Sequence, residues 1–253
     1  MDNASRETTL REIKKKMLIL SGRKPYAAGV RDFAAHVEKK DWLQRNLRLE
    51  GSSVTPEQVE SLLDGGLLPG ASVWEHLLAQ RLENLLGEMH DLISRGIDID
   101  LKLISTFHNM LSGDSTEVGT GYRKRSITIE EYDYVAPLAA ELEQEMKRLD
   151  ARIEEAERLP AGSIDCFEAA ARIHDGLLAI FPYGRDDKLL ARAVTAYYLL
   201  GKGYPAVVPD LSEEKYNRLV SRALSVGDHG GMTDALLAAV RERTELLLQL
   251  TAY

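Results

Sequence analysis

Apolar residues recur at three- and four-residue spacing through most of this 253-residue chain, and strand-like alternation is confined to one short stretch. That periodicity gives successive helices an apolar stripe each, so the chain has to fold as a helical assembly whose stripes cover one another. Helices are predicted at about 6–21, 28–49, 55–64, 73–95, 100–112, 134–158, 163–180, 187–202, 211–225 and 231–250. Breaks fall at Gly51, Gly65-Gly66, Pro69-Gly70, Gly96, Gly113, Pro160, Gly203 and Pro205. Thr55-Pro56-Glu57-Gln58 reads as a helix start, with a hydroxyl N-cap, proline at the first helical position and glutamine closing a capping box.

The exception to helix lies between Gly119 and Glu130. Gly119-Thr120-Gly121 permits a tight turn, and Ser126, Ile127, Thr128 and Ile129 alternate polar and apolar as a half-buried strand does. The expected class is mainly α with a small β-hairpin flap. The partition is an N-terminal helical segment over residues 1–70 and a core over 71–253.

A formal net charge of -8 argues against nucleic acid and anionic membrane as partners, because both require a basic face. No apolar run approaches the roughly 20 residues of a membrane-spanning helix. The single cysteine, Cys166, has no disulfide partner, and the first residues lack a signal-peptide apolar stretch, so a cytoplasmic location is expected. No two of the six histidines stand three or four apart, and no metal site is predicted. Phosphate-loop, dinucleotide-binding and serine-hydrolase motifs are absent.

The informative segment is Phe181-Pro182-Tyr183-Gly184-Arg185-Asp186-Asp187-Lys188-Leu189-Leu190-Ala191-Arg192. It lies between two predicted helices, one containing Ala170-Ala171-Arg172-Ile173-His174 and the next ending in Tyr198-Leu199-Leu200-Gly201. In this setting it resembles the active loop of the Fic family of nucleotidyltransferases, His-Pro-Phe-x-Asp/Glu-Gly-Asn-Gly-Arg-x-x-Arg. Four other stretches are similar to that family. They are Leu49-Glu50-Gly51 through Val59, Glu83-Asn84 on the next long helix, the helix with Leu103-Ile104, His108 and Leu111, and the flap Gly121-Tyr122-Arg123 with Ile127-Thr128-Ile129; after the loop, Tyr216, Ala223-Leu224 and Gly227-Asp228 are similar to the family's tail.

The resemblance implies a Fic-type helical bundle. In the family pattern the histidine is the general base, the acidic residue holds Mg²⁺ on the phosphates of ATP, the Gly-Asn-Gly turn cradles phosphate and the arginines balance its charge. Here Phe181 stands at the base position, Pro182 and Tyr183 agree or nearly agree, and Arg185 replaces the metal-holding acid. Asp186-Asp187-Lys188 replaces Gly-Asn-Gly, Leu189 replaces the first arginine, and Arg192 remains. No residue is assigned a catalytic role, and ATP with Mg²⁺ is implied only if family activity remains.

The resemblance also implies that Glu50 and Arg192 are the two ends of an inhibitory-type pair, with Asn46 where the family carries serine or threonine. The flap residues Gly121, Tyr122, Arg123, Ile127 and Ile129 are implied to engage a protein partner, or a second copy, by strand pairing. The expected function is a degenerate Fic-fold binding or regulatory module. The alternative is an enzyme with altered phosphate-transfer chemistry, using Asp186 or Asp187 as base and gated by Glu50 and Arg192. His174 is expected to be a hydrogen-bonded core residue and Cys166 an inert one.

Overall fold

Two long helices bring the ends of the chain together: α1 (Asn3–Gly22) packs along α10 (Gly230–Leu250). The computed structural model describes residues 1–67, 70–113 and 121–252. The remaining helices are α2 (Ala28–Leu49), α3 (Pro56–Leu63), α4 (Val73–Ser94), α5 (Leu101–Ser112), α6 (Leu142–Glu157), α7 (Ile164–Ile180), α8 (Asp187–Gly201) and α9 (Glu213–Val226). The predicted proline-led start is realised: Thr55 accepts from the Gln58 amide while the Gln58 side chain accepts from the Thr55 amide. A second box, formed by Ser72 and Glu75, opens α4.

The core is centred on α7 and α8. Thirteen of the 15 residues of α8 are buried, so this helix is covered on every side. It packs on α7, α5 and α4, and α7 in turn contacts α6, α10 and α9. The short link between α7 and α8, residues 181–186, is therefore tied at both ends to the most buried part of the molecule.

Helix was expected from residue 134, but α6 begins at Leu142. Pro137 accounts for the delay, since its ring and missing N–H oppose helix before it. Tyr134–Val135 instead forms strand β2, paired antiparallel with β1 (Thr128–Ile129), with Thr128 opposite Val135 and Ile129 opposite Tyr134. The connecting turn is a short 3-10 segment, Glu130–Tyr132, closed by Asp133 in the left-handed region at φ 46°. The hairpin thus turns after Ile129. The turn expected at Gly119-Thr120 lies outside the described residues.

Candidate functional site

The loop between α7 and α8 is bounded by two non-glycine residues in the left-handed region, with Gly184 at φ 78° between them. Phe181 ends α7 at φ 47° and Asp186 precedes α8 at φ 58°. The conformation of Asp186 is one that favours glycine, because a side chain there meets the backbone. Aspartate is one of the few residues that tolerate it.

Phe181, Tyr183, Asp187 and Leu189 of the loop region are packed into the protein. Phe181 is 8% exposed and its ring lies 6.5 Å from that of Tyr132. Tyr183 lies flat on His108 of α5, with ring centroids 3.7 Å apart and planes 6° apart, and Tyr122 of the flap meets its edge at 5.5 Å. The His108 ring reaches the Arg185 carbonyl at 3.3 Å through Nε2, and its Nδ1 is buried without a partner. Burial holds its pKa down at about 4, so the ring is neutral at physiological pH.

Asp187 turns back over its own loop. Its carboxylate accepts from the Gly184 amide at 2.7 Å and the Tyr183 amide at 3.3 Å, and the residue is 1% exposed. Burial pushes its pKa up to about 7 against the pull of those two amides. Asp186 is likewise raised by burial, with the nearby Glu50 charge adding to the effect. Arg185 is exposed, and Lys188 reaches Glu131 at 3.2 Å.

About one and a half turns of α8 place Arg192 deep in the bundle. Its Nη2 donates to Glu50 at 2.6 Å, its Nε donates to Asn46 at 2.8 Å, and its guanidinium lies 5.3 Å from the centre of the Tyr216 ring. The Arg192 side chain is 1% exposed and that of Glu50 15%. The structure thus brings Glu50 and Arg192 together and adds Asn46 as a second acceptor. Tyr216 also meets Nε2 of His174 at 2.8 Å. His174 and His229 approach the two oxygens of Asp175 at 2.8 and 2.7 Å through their Nδ1 atoms. Burial alone would raise Asp175, but its hydrogen bonds to both histidines hold it below the ordinary aspartate value.

The flap is fastened to the loop by Arg123. Its amide donates to the Pro182 carbonyl at 2.9 Å, and its guanidinium donates to the carbonyls of Phe181, Ile180, Arg125 and Pro137. Gly121 is exposed, while Tyr122, Ile127 and Ile129 are half-buried. Val135 and Leu138 beside them are 71% and 55% exposed. Reasoning from the sequence missed the Tyr183–His108 stack, the Arg123 staple and the Asp175 bridge. The only sequence signal for the last was the adjacency of His174 and Asp175.

Arg185 carries a positive charge in this loop, Asp187 occupies two of its amides, and Glu50 and Asn46 engage Arg192. Among the described residues no cluster of three His, Cys, Asp or Glu side chains is placed to hold a metal ion. No helix among them is long and apolar enough to cross a membrane.

Residues 98–199 match the Fic/DOC family. The whole chain is similar in structure to a Fic domain containing signaling protein from Bacteroides thetaiotaomicron, at 16% identity and TM-score 0.79, over 96% of this chain and 98% of that one. It is also similar to Fic-1 from C. elegans, at 17% identity and TM-score 0.78, over 97% of this chain and 72% of that one. A Fic family protein from Desulfovibrio desulfuricans G20 is similar at 17% identity and TM-score 0.61, over 95% of this chain and 74% of that one. No curated protein matches. The chain has a Fic-type helical fold, within which residues 98–199 carry the match to the Fic/DOC family.

Proposed function

We propose that this chain is a Fic-fold binding or regulatory module that has given up AMP transfer, and that its flap and the adjoining surface engage another protein. The observation that carries this reading is the packing of the active loop. Phe181 is buried against Tyr132 where a base would have to reach a target hydroxyl, and the Asp187 carboxylate sits on loop amides that a phosphate would need. A missing general base alone costs typically about 10²–10⁴-fold in rate. Removing the acid that places the metal and adding two carboxylates deepen that loss.

The flap retains what binding requires. Val135 and Leu138 expose apolar side chains beside a short strand pair, a combination suited to adding an extended segment of a partner. Altered phosphate-transfer chemistry has one argument in its favour, the raised pKa of Asp187, which falls in the range of a general base. The same carboxylate is sealed from solvent and held by two amides, so it has no approach to a substrate proton.

Calorimetric titration of ATP with and without Mg²⁺, on the intact protein and on Glu50→Gly, tests the reading alongside a labelled-ATP transfer assay. The expected result is no transferred label in either form and no Mg²⁺-dependent heat. Label transferred to any protein, including this one, would overturn it.

A further inference from the structure

Between Gly121 and β1 the flap carries three consecutive cations, Arg123, Lys124 and Arg125. The Arg123 guanidinium donates to neutral carbonyls, and the Lys124 and Arg125 side chains are exposed. Among the described residues no carboxylate forms an ion pair with any of the three. The carboxylates nearest in the fold are committed elsewhere: Glu143 pairs with Lys147 at 2.7 Å, Glu141 accepts from the Leu138 amide at 2.9 Å, and Asp100 caps α5 at the Leu103 amide. Burial raises the Tyr122 phenol, and the charges of Asp150 and Glu143 add to the effect. With Glu143 neutralised by Lys147, Asp150 is one negative charge set against three cations. The acidic residues of the hairpin itself, Glu130, Glu131 and Asp133, stand in its turn, beyond β1.

Beside these cations an open cleft of about 700 Å³ lies between the flap, the start of α6 and the start of α5. Leu101, Tyr122, Ala139, Ala140 and Leu142 supply its apolar lining, and Lys124 is part of its wall. The residues of the 181–186 loop do not line it, so it is separate from the space that Phe181 and Tyr183 fill. Its volume is that of a site for a ligand or for more than one side chain. A formal net charge of -8 repels long polyanions, so a local cationic run suits a short acidic segment better than nucleic acid. An extended segment presents alternate residues on one face. Carboxylates two positions either side of an apolar residue therefore flank the cleft when that residue enters it.

We propose that this cleft and the run from Arg123 to Arg125 form the docking site for an extended acidic segment of a partner protein, with an apolar side chain in the cleft and carboxylates at Lys124 and Arg125. The proposal rests on the reading of the chain as a binding module and names the chemistry of its partner. Opposite charges across such a surface set specificity and encounter rate, and salt weakens them.

The probe is a terminally blocked heptapeptide, Ser-Glu-Ser-Leu-Ser-Glu-Ser, compared with versions carrying glutamine or lysine in place of glutamate. Titrations followed by amide NMR read affinity and location together. At low salt the glutamate version should bind at least about fivefold more tightly than the glutamine version, and that margin should shrink as salt is added. The shifted amides should be those of residues 122–125 and 139–143. Lys124→Ser with Arg125→Ser, both at exposed positions, should weaken the glutamate version at least about fivefold and leave the glutamine version unchanged. Ala140→Glu, which adds a carboxylate to the cleft wall, should weaken it independently of the flap. A glutamine or lysine version that binds as well, shifts confined to other residues, absence of binding by all three, or tighter binding of a single-stranded oligonucleotide would overturn the proposal. Equal binding by all three at these residues removes the acidic preference and leaves the binding-module reading standing. Label transferred from ATP overturns that reading whatever the peptides do.

Discussion

Arg192 and Glu50 form an ion pair of 2.6 Å between the middle of α8 and the end of α2, with the arginine side chain 1% exposed and the glutamate side chain 15%. Asn46, one helical turn before Glu50, accepts from the Nε of the same guanidinium. Three residues far apart in sequence thus fasten the N-terminal helices to the central one. The pair does structural work whether or not it also gates a ligand.

Glu50→Ala should therefore destabilise the protein by about 2–4 kcal/mol, because it leaves a buried guanidinium without its counter-charge, with some relief from the partial exposure on the glutamate side. Urea unfolding monitored by circular dichroism measures it. A loss below about 1 kcal/mol would mean that water replaces Glu50 at little cost.

Asp175 joins His174 and His229 through both its oxygens, so Asp175→Ala removes two hydrogen bonds and orphans a buried histidine nitrogen. We expect a cost of about 2–4 kcal/mol near neutral pH. The folded pKa is depressed, so this contribution is present above the unfolded aspartate value near 4 and is lost as pH falls through the lower folded value. Unfolding free energies of wild type and variant should converge toward acid. A gap that stays constant down to about pH 3 would contradict the assignment.

At Asp187 the sign is reversed. Burial raises the folded pKa from 3.8 to about 7, so the stabilising protonated state is fully present below about 4 and is lost as pH rises through about 7. Asp187→Asn keeps the shape without the ionisation. It should be more stable than wild type at pH 8 by about 1–3 kcal/mol, with the advantage shrinking toward pH 4. Thermal melts across that range decide it, and an advantage that grows toward acid would refute it.

Asp186→Gly should relieve the left-handed backbone at φ 58° and the raised carboxyl together. The change offsets part of this gain by making the unfolded chain freer, leaving an expected stabilisation of about 0–1 kcal/mol. A loss of more than about 1 kcal/mol would show that the carboxylate makes a favourable contact that outweighs the strain.

Arg123→Lys keeps the charge but not the planar fork that reaches several carbonyls at once. Amide exchange in the flap should accelerate at least about tenfold while the core protection of α7 and α8 changes little. Uniform acceleration across the molecule would mean that the staple supports the whole bundle.

Local signals in the chain determined most of the helices. The capping box at Thr55, the glycine stops at Gly113 and Gly227, and the apolar spacing of α7 and α8 act within a turn or two, and the helices form where those signals stand. The loop pattern from Phe181 to Arg192 was also legible, because twelve consecutive residues carry it together with the helices on either side. The start of α6 was misplaced because the apolar spacing of Tyr134 to Leu142 suits a helix until Pro137 and the pairing of β2 with β1 are taken into account.

Tertiary structure alone decided how the reactive-looking residues are used. Nothing local places Tyr183 on His108, 75 positions earlier, or turns every donor nitrogen of Arg123 toward carbonyls of the loop and flap. Asp187 has neighbours in sequence that read as a solvated charge cluster, yet it is the most enclosed carboxylate of the loop because α8 enters the core at that residue. Charge and pKa depend on desolvation and on partners from distant segments, whereas helix propensity depends on the nearest few residues.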